Sequence, residues 1–160
     1  MPVFKPNEKY MKMAIEKARE GVKKGQTPFG ACIVKGNKVL SCVHNTVWKT
    51  TDITAHAEVH AIRKACKVIN SIDLSGSVIY STCEPCPMCF SAIHWANIPT
   101  IVYGAKIKDA KSAGFHELTI SNRRMKTIGG SSVAIVRDFL RKENVGLFNE
   151  WLNCSDRKIY

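Results

Sequence analysis

Four side chains in two short clusters could do chemistry together. His56 and Glu58 flank Ala57, and Cys86 and Cys89 lie within Pro85-Cys86-Pro87-Met88-Cys89. One imidazole and two thiolates are the ligand set of a zinc ion with three protein ligands, which leaves a tetrahedral position open to water. A structural zinc site would normally bring a fourth protein ligand, so this set points to catalysis. Zinc acidifies a bound water, and Glu58, two residues from a ligand, is the carboxylate placed to take its proton.

Both clusters fall at the first turns of expected helices. Unpaired backbone N–H groups and the helix dipole favour negative charge there, which helps a thiol become a thiolate. The spacing of Cys86 and Cys89 lets both reach one ion from a single turn. His56 belongs to another helix, so the ion would pin two helices together.

The rest of the chain must supply those helices and hold them. After Asn7, a helical stripe runs through Tyr10, Met11, Ala14, Ile15, Ala18 and Val22, and Gly25 ends it. Ala31–Val34 and Val39–Val43 read as strands joined by a hairpin turn at Gly36-Asn37. Asn45–Asp52 reads as a loop, and Thr54 as the cap of a helix running to about Val68. A strand over Ser77–Thr82 precedes a helix over Cys86–Ala96. Ile101–Tyr103 and Val133–Val136 complete five strands, with a helix or turn around Asp109–Gly114 between them. A last helix is expected to bury Val145, Phe148 and Leu152 on one face. Strands alternating with helices predict an α/β domain of three layers, a five-stranded mixed central sheet flanked by helices. With no linker or repeat, residues 1–160 form one domain.

No apolar run approaches the roughly 20 residues that span a bilayer. Met1–Tyr10 has no apolar core and is not a secretory signal, so a cytoplasmic location is expected. The seven cysteines are an odd number. Cys86 and Cys89 are ligands, Cys32, Cys42 and Cys66 are expected as buried free thiols, and Cys83 as packing. Among the histidines, His60 is expected to pack and not to ligate. The formal net charge of +11 could mark a nucleic-acid partner or a lysine-rich soluble surface. The basic residues are dispersed. Only Arg123-Arg124-Met125-Lys126 is a tight cluster, and it has no interleaved aromatics.

His-x-Glu followed by Pro-Cys-x-x-Cys is the signature of zinc-dependent nucleobase deaminases. The chain also resembles the cytidine-deaminase superfamily beyond those residues, and within it is most similar to bacterial guanine deaminases. The carriers are Pro28-Phe29-Gly30-Ala31, Asn45, Thr54 through Lys67, Cys83 through Cys89, Ala92-Ile93-His94-Trp95-Ala96 and Ala113-Gly114-Phe115. They span roughly residues 7–117.

The resemblance implies zinc held by His56, Cys86 and Cys89, with Glu58 as proton shuttle. It implies substrate contacts at Phe29, Asn45, Ala57, Trp95, Glu117 and Tyr160. In that scheme Asn45 hydrogen-bonds a purine, and Phe29 and Trp95 form an aromatic wall. Glu117 meets the guanine amino group where the family usually has aspartate. Residues from about 140 to 160 cap the site, of the same chain or of a partner in a swapped homodimer, with Tyr160 reaching the substrate. Guanine deamination is thus the leading expectation. A tRNA adenosine deaminase, which the charge would suit, or a deaminase of cytosine or another small heterocycle stays open. So does a zinc-stabilised binding module, against which Glu58 and the open metal position argue. The tRNA enzymes usually carry Pro-Val-Gly at residues 28–30 and lack the features at Trp95 and Ala113-Gly114-Phe115.

Overall fold

Strand β1 (Gly30–Lys35) is the sheet member on which both faces of the core are built. Its side chains alternate: Ala31 and Ile33 join one buried cluster, Cys32 and Val34 the other. β1 is flanked by β2 (Lys38–His44) and β3 (Ser77–Cys83), antiparallel to both. Beyond β3 come β4 (Thr100–Ala105) and β5 (Ala134–Val136), each parallel to its neighbour, giving the order β2-β1-β3-β4-β5. The computed structural model describes residues 4–160; Met1–Val3, the start of the Met1–Tyr10 stretch, lie outside them.

One layer of helix covers each face. α1 (Glu8–Lys23) buries Tyr10, Met11, Ala14, Ile15 and Ala18 against β1, β2 and β3, beside α7 (Arg141–Leu152). The opposite face packs under α3 (Ala57–Ile69) and α4 (Pro87–Trp95), through Ala57, Ala61, Ala65, Phe90 and Ile93. The sheet is therefore dry on both sides, which is why its strands read as unbroken apolar runs. Helix α1 rides so close to β1 that a Cβ at Gly30 would collide with the Ala14 carbonyl oxygen. No described helix is long and apolar enough to cross a membrane.

Several elements depart from expectation, each for a local reason. The loop after β2 contains a one-turn helix, α2 (Val47–Thr50), entered where the Val47 N–H donates to Asn45 Oδ1 at 3.0 Å. Thr54 does not cap α3. Its hydroxyl donates to Asp52 Oδ1 at 2.6 Å, and His56 takes the cap position. α5 (Ile107–Ser112) starts two residues before the expected segment. α6 (Asn122–Gly129) falls where the sequence shows only a basic cluster, because Asn122 is buried, Met125 and Lys126 are half-buried and the other residues are exposed. On α7 the buried face is Asn144, Leu147, Phe148 and Trp151, while Leu152 stays 38% exposed. Those four positions follow helical periodicity. The polar Asn144 hides the stripe, and it is held by its Nδ2 donating to Phe139 O and Leu140 O. Cys32 is buried as expected, but Cys42 and Cys66 are only half-buried.

Gly30→Ala is expected to cost about 1–3 kcal/mol, since backbone and not a flexible side chain blocks the added methyl. Thermal unfolding should register this as a fall in Tm of several degrees, roughly 2–4 °C per kcal/mol for a chain of this size.

Candidate active site

The site forms where two helix N-termini meet the ends of β1, β2 and β3. His56 caps α3 and Cys86 caps α4, and neither side chain is used to bond its own helix. Both are thus free to turn toward one point, which Cys89 reaches from the first turn of α4. Pro87 at the first helical position needs no N–H partner and fixes the entry of α4. His56 Nδ1 lies 3.6 Å from Cys86 Sγ and 3.7 Å from Cys89 Sγ. A tetrahedral zinc ion with bonds of about 2.1 Å to nitrogen and 2.3 Å to sulfur would separate those atoms by roughly 3.6 Å. All three ligand atoms lie within 4.8 Å of one another, so the donor set fits zinc in type and in spacing. Cys83, buried nearby, is outside this set, as expected. His60 is outside it too, its Nδ1 lying 3.1 Å from the His44 carbonyl.

Charge is distributed unevenly over these groups. The Cys86 thiol is brought down to about 4, by hydrogen bonding from Cys89 and by the neighbouring His56, against the cost of burial. Cys89 is pushed up because it donates to Cys86 and is buried beside Glu58. A divalent cation overrides that preference, since a coordinating thiol is deprotonated outright.

Glu58 is buried at the first turn of α3. Burial raises its pKa, with the charge of Cys86 adding to the effect. Its Oε1 accepts from Ser81 Oγ at 2.8 Å, and Oε2 lies 3.4 Å from Cys89 Sγ. This carboxylate is therefore fixed in place with its proton affinity raised, which suits a group that must both accept and return a proton. Ser81 was missed from the sequence. The signal was a hydroxyl at a buried position of β3, between Ile79 and Cys83 on the same face.

Around the metal ligands lies a cavity of about 310 Å³, bounded by Ile53, Met88, Phe115, Glu117, Leu118 and Tyr160 besides His56 and Cys86. A smaller recess joins His56, Glu58, Cys86, Glu117 and Tyr160 to Phe29. Burial, together with the charges of Cys86 and Glu58, pushes the Glu117 carboxyl up to about 7. Phe29 presents its ring edge-on to Phe115 at 5.0 Å between centroids. Asn45 is fully buried, and its Nδ2 donates to the Tyr160 hydroxyl at 2.6 Å. That hydroxyl also lies 3.3 Å from Thr27 Oγ1, a partner the sequence did not single out. Ala57 is buried between His56 and Glu58.

The chain's own last residues thus return to its own site. Trp151 stacks on Phe115 at 5.0 Å, so α7 holds the segment that delivers Tyr160. Glu84, buried just after β3, accepts from the backbone N–H groups of Asn122 and Ile107 and so ties the start of α5 to that of α6.

Trp95 is the exception among the expected site residues. It is 82% exposed and lies beside Phe90, His94 and Met125, in a different depression of the surface. The reason is helical rise: Trp95 ends α4, and six residues from Cys89 carry it roughly 9 Å along the axis, away from the metal end. The aromatic rings that line the cavity are Phe115 and Tyr160, whose centroids are 5.7 Å apart.

Residues 5–105 match the zinc-binding region of cytidine and deoxycytidylate deaminases. Over 155 residues the chain is 39% identical to the guanine deaminase of Bacillus subtilis, covering 96% of this chain and 99% of that one. It is 40% identical over 98 residues to a tRNA-specific adenosine deaminase of Aquifex aeolicus, covering 61% of this chain and 65% of that one. The guanine deaminase structure from Nitrosomonas europaea superposes with a TM-score of 0.84 at 24% identity, over 96% of this chain and 88% of that one. That likeness establishes the fold.

Because the ligands come from two helices, zinc removal should loosen the α3–α4 contact. Dialysis against a strong chelator is expected to lower Tm, and adding zinc back to restore it in a concentration-dependent way. Cys89→Ser should abolish the response to zinc. A Tm indifferent to zinc in the unaltered protein would show that the three side chains hold no ion.

Proposed function

Because this chain belongs to the family of the cytidine and deoxycytidylate deaminase zinc-binding region, and is a zinc-dependent hydrolytic deaminase, we propose that its substrate is guanine, hydrolysed to xanthine and ammonia. The observation that carries this reading is the closure of the site by the C-terminal residues. Tyr160, Glu117 and Phe115 line a cavity of about 310 Å³, enough for a single purine base, and Asn45 lies behind Tyr160 and holds its hydroxyl. The full-length similarity supports it, since the guanine deaminase relative matches through that C-terminal segment.

In this reading His56, Cys86 and Cys89 hold zinc, which when bound supplies an acidified water as nucleophile. Glu58 takes the proton that the water loses on attack and passes it to the ring nitrogen beside the attacked carbon, then takes the remaining hydroxyl proton and delivers it to the departing amine. Ser81 keeps the carboxylate aimed. Glu117 faces the exocyclic amino group of the bound purine, Asn45 offers its amide to the ring, and Phe29, Phe115 and Tyr160 flank the ring faces. Ala57 packs the base against the start of α3. The proposal covers residues 1–160 as one catalytic domain, with about 140–160 as its cap.

It also includes a cytoplasmic location and a homodimer. Seven free thiols suit a reducing compartment, and the exposed Trp95 and Ile128 offer an apolar contact surface. The capping tail is seated on its own chain, so exchange between subunits is not needed to complete the site.

Zinc-loaded protein should consume guanine, followed by loss of its absorbance, and release one ammonia per base. Inosine formation in tRNA with no turnover of guanine would overturn the assignment. Glu58→Gln is expected to retain zinc by metal analysis while losing about 10²–10⁴-fold in kcat. Unchanged turnover would remove Glu58 from proton transfer. For Glu117→Ala, kcat/KM on guanine should fall by at least about tenfold, since a charged hydrogen bond of roughly 1.5–3 kcal/mol is lost. Hypoxanthine, which lacks the amino group, should keep nearly the same inhibition constant. Equal losses for both would place Glu117 elsewhere in the chemistry.

A further inference from the structure

The hairpin that delivers Phe29 and Asn45 to the site carries two thiols that the metal does not use. Cys32 and Cys42 are directly opposed in the antiparallel register of β1 and β2. Both side chains point to the face covered by α1, in the same apolar cluster. Directly opposed residues of an antiparallel pair have Cα atoms about 4.5–5.5 Å apart. That separation lies inside the span of roughly 4.4–6.8 Å that a disulfide bridges.

The two thiols differ in access. Cys32 is fully buried, whereas Cys42 is half-buried and opens onto a surface groove of about 600 Å³ that it shares with Lys9, Lys12 and Lys17. Hydrogen bonding from the Cys32 thiol, with the charges of Lys17 and Lys64, lowers the Cys42 pKa against burial and the nearby Glu20 carboxylate, while Cys32 is held protonated. Ammonium groups around a reachable thiol are the setting in which cysteines react with oxidants, and a second thiol alongside allows the product to resolve as a disulfide.

We infer that Cys32 and Cys42 form a reversible oxidation site, separate from the metal ligands, which a hydroperoxide closes to a cross-strand disulfide. The Cys42 thiolate attacks one peroxide oxygen. The O–O bond breaks, the sulfur is oxidised to a sulfenic acid by two electrons, and hydroxide leaves. The Cys32 sulfur then attacks the Cys42 sulfur; the S–S bond forms, the S–OH bond breaks, and the departing hydroxide takes the thiol proton as water. In sum, two thiols and one hydrogen peroxide give one disulfide and two waters. The bridge stands three residues from Phe29 and three from Asn45, whose N–H donates to Phe29 O at 3.0 Å and extends the same ladder.

The test is to treat the zinc-loaded, fully reduced protein with hydrogen peroxide and map its peptides without reduction, while a chromogenic chelator follows zinc. The expected result is a peptide pair joined through Cys32 and Cys42, reversed by dithiothreitol, formed before any zinc is released. Cys42→Ser should remove the joined pair and leave the melting temperature within a few degrees of the unaltered protein, since its side chain is only half-buried. Cys32→Ala should leave Cys42 as a sulfenic acid that dimedone traps. If Cys32→Ala does not fold, the mapping of the unaltered protein and of Cys42→Ser still decides the matter. Oxidation that first joins Cys86 to Cys89 with loss of zinc, or that leaves Cys32 and Cys42 as free thiols, would overturn the inference.

Discussion

The rest of this structure depends on the convergence of three ligand atoms from two helix N-termini. His56 Nδ1, Cys86 Sγ and Cys89 Sγ can be brought within a tetrahedron's edge only if α3 and α4 start side by side on one face of the sheet. That demands β1 and β3 as neighbours beneath them and small residues where the helices rest. Ala57, Ala61 and Ala65 on α3 meet that demand. Two thiolates and an imidazole are poor companions in a buried place unless a cation joins them. The positive ends of two helices make the same place favourable to negative charge before any ion arrives.

Burial then sets the chemistry of the groups that are not ligands. Glu58 and Glu117 both sit below the surface near a negative thiolate, and both are pushed toward the neutral form. One carboxyl is tied by Ser81 and faces the metal ligands; the other lines the cavity where a ring would lie. The same loss of water that raises these groups also strengthens each hydrogen bond they make. The site is closed by its own chain, since α7 is anchored by Asn144 and Trp151 and sets Tyr160 on the Asn45 amide.

The metal ligands and Glu58 were legible in the chain because their roles depend on residue type and on short spacings. Positions within one turn of a helix bear a fixed relation to each other, so Cys86 and Cys89 need no knowledge of the fold. The five strands were legible for a similar reason, being short apolar runs, with β1 and β3 buried along nearly all their length. α6 was not, because it meets the protein chiefly through Asn122 and Met125 while its other residues are mostly exposed and polar. The α7 stripe was misplaced by one position because a buried asparagine stood in it.

Composition, the two clusters and the alternation of strands with helices settled the reaction class and the α/β architecture from sequence by itself, since these are local properties. Only the tertiary structure decided which distant side chains surround the metal ligands. It removed Trp95, carried past the site by the rise of its own helix, and brought in Ser81, Thr27 and Phe115. It also set Tyr160, the last residue, against Asn45, a contact across 115 positions that no spacing rule predicts. Such contacts depend on the summed packing of the sheet and both helical layers, and that sum is not written in any one stretch of the chain.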